Sequence, residues 1–61
     1  MQHRLETLST AFTAYSVASD ALAEVRAESR LADAAIACGM AHDEPNAAEW
    51  AATRLAKWWA S

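Results

Sequence analysis

Residues 8–36 read LSTAFTAYSVASDALAEVRAESRLADAAI, with neither Gly nor Pro to interrupt them. Read in sevens, one column holds Leu8, Tyr15, Leu22, Ser29 and Ile36, and the column three places on holds Ala11, Ala18, Val25 and Ala32. Two columns alternating by three and four are the pattern of one helix face. On a helical wheel they cover roughly 120°, wide enough to pack and narrow enough to leave a solvent side. The stretch predicts an all-α fold built on an amphipathic helix, with the whole chain, residues 1–61, as one small helical domain.

Working outward, Ala21 to Cys38 is dominated by Ala, Leu, Glu and Arg, all strong helix formers. Gly39 is the single glycine, placed where a left-handed residue closes a helix. Past a turn over Met40 to Asp43, a shorter helix is expected from about 44 to 59. Pro45 would sit in its first turn, where a missing N–H costs nothing. Asp43, Glu44 and Glu49 then lie near its positive end and Arg54 and Lys57 near its negative end, as the helix dipole favours.

In the other direction no clear N-cap precedes residue 3, and Thr10 to Val17 is rich in β-branched and aromatic residues that lose side-chain freedom in a helix. Ser19 or Asp20 could cap a restart there, although neither is followed three residues later by Glu or Gln.

Two architectures follow. In the first, a continuous helix over about 3–38 extends ~54 Å, and the last helix folds back antiparallel to cover only ~24 Å of it. Leu22, Val25 and Ile36 then pack against Leu55, Trp58 and Trp59, while Leu5, Leu8, Phe12 and Tyr15 stay bare and call for a second copy, since soluble monomers seldom leave such a patch exposed. In the alternative, the helix breaks near 17–20 and the chain makes a three-helix bundle. The unbroken seven-residue repeat favours the straight form.

A chain of 61 residues buries only about 60% of its unfolded surface, and much of its 54% hydrophobic content is alanine, whose methyl contributes little. A core this small points to completion by a partner or a second copy. With one cysteine, Cys38, no intrachain disulfide can form, and a cytoplasmic location is expected. Glu6 and the Thr/Ser run spoil any signal-peptide core, and the longest uncharged stretch, Thr7 to Ser19, is too short to span a membrane. A net charge of −3 removes the basic field that drives nucleic-acid binding. The partner expected is a larger protein, with no nucleic acid bound directly and no membrane.

Catalytic and metal chemistry find little support. Cys38 and His42 are four apart, but Gly39 lies between them, and structural zinc wants four ligands. No orienting group or oxyanion site accompanies a Cys–His nucleophile pair, and one glycine cannot build a phosphate loop. No cofactor, metal or enzymatic activity is expected.

Binding features are better represented. Asp20, Glu24 and Glu28 follow at four-residue spacing opposite the apolar seam, with Val17 and Leu31 in the same sector. Like charges so placed destabilise a helix by a few tenths of a kcal/mol per pair, which suits either an acidic surface for a basic patch or a solvated face. Three tryptophans, Trp50, Trp58 and Trp59, stand in the last twelve residues. Trp50 falls beside Arg54, as a cation–π pair, a partner anchor, or cover for the bundle edge. The reading is a non-catalytic helical protein–protein interaction module, an adaptor, regulator or inhibitor, best suited to covering a basic nucleic-acid-binding surface. The alternative is a small structural subunit or self-associating helical protein.

Overall fold

A computed structural model describes residues 2–60. Three helices follow one another: α1 (Gln2–Ser16), α2 (Ala21–Ala37) and α3 (Ala47–Ala60). Each packs against the other two, and the molecule measures 33 × 23 × 17 Å. A continuous helix over 3–38, at ~54 Å, does not fit that envelope. The broken alternative is the one adopted.

The break has a local cause. The α1 ladder runs out as Val17 N–H donates to the Thr13 carbonyl at 3.1 Å and Ala18 N–H to that of Tyr15 at 3.3 Å. Asp20 is then extended (φ −135°, ψ 166°), and its carboxylate accepts the Ala23 N–H at 2.8 Å. A side-chain cap of this kind satisfies one of the four free N–H groups at a helix start. The missing capping-box glutamate argued against a restart, but one good acceptor suffices. Within α1 the hydroxyls of Thr7, Thr10 and Ser16 donate to the carbonyls four residues back, at 3.0, 3.1 and 2.9 Å. That back-bonding lets a Thr/Ser-rich segment stay helical at some loss of helix stability.

Gly39, at φ 109°, closes α2 as expected. Met40 N–H reaches the Ala35 carbonyl at 2.9 Å and Gly39 N–H that of Ile36 at 3.0 Å, the paired bonds of a Schellman closure. The last helix starts later than the sequence reading placed it. Asn46 caps it, its Oδ1 accepting the Glu49 N–H at 3.0 Å while its Nδ2 donates to Glu49 Oε2 at 3.5 Å. Pro45 therefore precedes the cap instead of lying in the first turn.

Leu8, Leu31 and Leu55, one from each helix, are all 0% exposed and form the centre. Ala34, Ala35 and Ala51 are also buried and Met40 closes the cluster, with Leu5, Phe12, Tyr15, Ile36, Trp50 and Trp58 packed around it. Leu5, Phe12 and Tyr15 are thus covered within one molecule, and the bare seam expected of a straight helix does not exist.

α2 presents the opposite face to the one anticipated. At 100° per residue, its buried Ala27, Leu31, Ala34 and Ala35 fall in a sector about 100° wide. Val25 and Leu22 lie roughly 130° and 170° from the middle of that sector, and they are 66% and 60% exposed. Of the expected contacts of Leu22, Val25 and Ile36 with the last helix, only Ile36 and its partners Leu55 and Trp58 join the core, and Trp59 is 62% exposed. The cause is phase: four non-helical residues, 17–20, separate α1 from α2, so a wheel drawn through both carries the wrong rotation into the second.

Leu31→Ala is therefore expected to cost about 2–5 kcal/mol, as truncating a buried leucine does, while Leu22→Ala stays within about 0.5 kcal/mol. Urea denaturation of the two variants measures the contrast, and equal losses would put the wrong face of α2 inward.

Candidate partner-binding surface

The residues singled out from sequence separate into three groups. Leu31, expected as an apolar contact for a partner, is fully buried at the centre of the core and is withdrawn from the surface. It lies in the same wheel sector as Glu24, which shows that this sector of α2 is the inward one, with glutamate tolerated near the open N-terminal end.

Asp20, Glu24 and Glu28 are all exposed. Asp20 has a local task as the cap of α2, and Glu24, in the first turn, faces the positive end of the helix dipole. Only Glu28 has no structural role in the helix start. Val17 is 73% exposed, in the turn that leads into α2. The structure adds Leu22 and Val25, which sequence reasoning had assigned to the core. One turn apart on the helix, they form an apolar strip that starts where α2 starts, with Glu28 about 60° round the helix from Val25. Their signal was legible as an apolar column, but its direction depended on the break.

Beyond Val25 the strip continues into a groove of about 530 Å³, walled by Ser29, Ala32 and Ile36 of α2, Tyr15 of α1, and Ala47 and Ala48 of α3. Glu28, Glu44 and His42 stand on its rim. The outer face of α2 thus passes from exposed aliphatics into a half-covered trough.

Trp50 is half-buried and packs on the core, so it covers the edge of the bundle. It shares a shallow groove of about 270 Å³ with Arg54, Glu44, Glu49, Thr53 and Lys57. Trp58 and Trp59 lie with ring centroids 6.5 Å apart and planes inclined by 33°, within the spacing at which aromatic pairs attract.

Cys38 and His42 line different hollows. The thiol donates to the Arg4 carbonyl at 3.3 Å, and Arg4 Nη1 in turn donates to the Ala37 carbonyl at 3.4 Å. Both bonds fasten the first turn of α1 to the last turn of α2. Among the described residues no group of three or more His, Cys, Asp or Glu gathers to hold a metal ion, and no helix is long and apolar enough to cross a membrane.

Set against protein-family models, curated proteins and solved structures, the chain matches none of them. Any reading of function rests on the surface just described.

The carboxylates are expected to part company under mutation. Asp20→Ala should cost about 0.5–2 kcal/mol, the usual loss for a cap, whereas Glu24→Gln and Glu28→Gln together should change stability by no more than about 0.5 kcal/mol, relief of their mutual repulsion offsetting any lost dipole interaction. Thermal unfolding followed by far-UV circular dichroism separates the two cases.

Proposed function

We propose that the protein is a non-catalytic helical interaction module, acting in the cytoplasm as an adaptor, regulator or inhibitor on a larger protein with a basic surface. One observation carries this reading. Leu22 and Val25, each more than half exposed, stand on the outer face of a helix whose inner face is already packed; Glu28, also exposed, lies about 60° round the helix from Val25, and the exposed Glu24 lies farther round, at the open N-terminal end of the packed side. A folded chain with a core of this size gains nothing from leaving its larger aliphatics outside and its alanines inside. A partner that covers them supplies the missing burial, at roughly 25 cal/mol per Å² of apolar surface.

The acidic residues of α2 select the partner's charge. Exposed carboxylates on the helix that bears an apolar strip attract a basic surface from a distance and chiefly raise the association rate. A basic surface that otherwise holds nucleic acid has the complementary character, which makes inhibition by occlusion the favoured form of regulation. Since Asp20 is committed to its cap, Glu24 and Glu28 are the residues assigned to steering, with Val17, Leu22 and Val25 as contacts.

The test is capture from the native host with wild-type bait and with Leu22→Glu/Val25→Glu bait, followed by binding kinetics on the protein recovered. The paired variant should keep its helicity, because both positions are exposed, and lose the partner by more than about tenfold in affinity. Glu24→Gln/Glu28→Gln should slow association at low salt with little change in dissociation. A partner held equally by all three baits would overturn the assignment of this face. If light scattering shows instead that the wild type alone pairs through the strip, the structural-subunit reading replaces this one.

A further inference from the structure

The hollow where α1 begins and α2 ends runs against the charge of the rest of the molecule. The chain carries five Lys and Arg against eight Asp and Glu, yet Arg4 of α1 and Arg54 of α3 both line one open hollow of about 840 Å³ that no carboxylate of the described residues lines. The two arginines are far apart in sequence, so the fold and not helix spacing brings them to one cavity. Among the described residues neither guanidinium is ion-paired with a carboxylate. Arg54 is half-buried, and each guanidinium has five N–H donors in a fixed fork, of which Arg4 uses one on the Ala37 carbonyl.

Two further features favour an anion there. α1 has no acidic residue in its first turn, so its positive end, to which Arg4 and Leu5 belong, is not neutralised from within the helix. The negative end of α2 lies in the same hollow but is already closed. The carbonyls of Ala34, Ala35 and Ile36 accept the N–H groups of Cys38, Met40 and Gly39, and that of Ala37 accepts Arg4. The remaining wall is apolar, with Leu5, Ile36 and the Trp58 indole. An open hollow in the size range of small-molecule sites, mostly apolar in its lining with two arginines among its walls, has the composition of a ligand pocket.

We propose that this hollow binds a small organic anion, an oxyanion joined to a flat apolar body. Arg4 and Arg54 take the oxyanion, and Leu5, Ile36 and Trp58 take the body. A guanidinium fork matches carboxylate and phosphate alike, so the shared chemistry is an aryl carboxylate or an aryl phosphate. The site shares no residue with the Leu22–Val25 strip itself and only Ile36 with the groove that continues it, and its success or failure is separate from that of the partner-binding reading.

Titration of the full ¹⁵N-labelled chain with phenyl phosphate, with benzoate and with neutral benzamide tests it by NMR. At least one of the two anions should give saturable shifts at Arg4, Cys38, Gly39 and Arg54, and benzamide none; the tighter anion identifies the oxyanion class. Arg4→Gln and Arg54→Gln should each weaken that binding by about tenfold or more, equivalent to ~1.4 kcal/mol. Arg30→Gln on the exposed side of α2 and Leu22→Glu/Val25→Glu should leave it unchanged. Absence of saturable shifts with both anions overturns the proposal, as does equal binding of benzamide, or undiminished binding in a helical Arg4→Gln/Arg54→Gln variant. Should that double variant unfold, the comparison of the anions with benzamide on the wild-type chain decides.

Discussion

The interruption of the helix at residues 17–20, after which the Asp20 carboxylate accepts the Ala23 N–H, frees the rotation of α2, and the rest of the structure depends on that rotation. With the chain extended at Asp20, the second helix is free to turn a different side to α1 from the one a continuous helix would have turned. Leu31 and its alanine neighbours face inward as a result, and Leu22 and Val25 face outward. The compact bundle, the burial of the α1 seam and the outer apolar strip are three results of one local event.

The core that results is narrow and alanine-lined. Leu8, Leu31 and Leu55 meet at the centre, with Ala34, Ala35 and Ala51 buried among them. Among the described residues no polar or charged residue is buried with them, and no buried side-chain polar atom lacks a hydrogen-bond partner. Apart from the Thr7, Thr10 and Ser16 hydroxyls that bond back within α1, the polar bonds described stand at helix ends: the Asp20 and Asn46 caps, the Gly39 closure, and the Arg4 and Cys38 bonds that join α1 to α2.

Helical class, the position of Gly39 and the weak point near 17–20 were all legible in the sequence, because each rests on chemistry local to a few residues. The Asn46 cap was legible too: an Asn followed three residues later by Glu is an N-terminal signature, but Pro45 drew the start too early. What could not be read was rotation. A seven-residue column carries phase only while the backbone keeps 100° per residue, and Val17 to Asp20 abolish that relation without disturbing the column itself. Leu31 was therefore placed outside and Leu22 inside. Arg4 and Arg54 had no sequence signal as a pair, since only the packing of α1 and α3 at the end of α2 unites them.

Because α2 carries an apolar face on each side, the collapsing chain meets two ways of seating it. One buries Ala27, Leu31, Ala34 and Ala35; the other would bury Leu22, Val25 and Ile36, which are bulkier and gain more from leaving water. Non-specific collapse rewards the second, while caps and close packing reward the first, so local and global preferences conflict in this helix as they do not in α1 or α3. Such conflict is frustration in the energy-landscape sense. A second seating of α2, with Leu22 and Val25 turned inward, would be built from the same three helices.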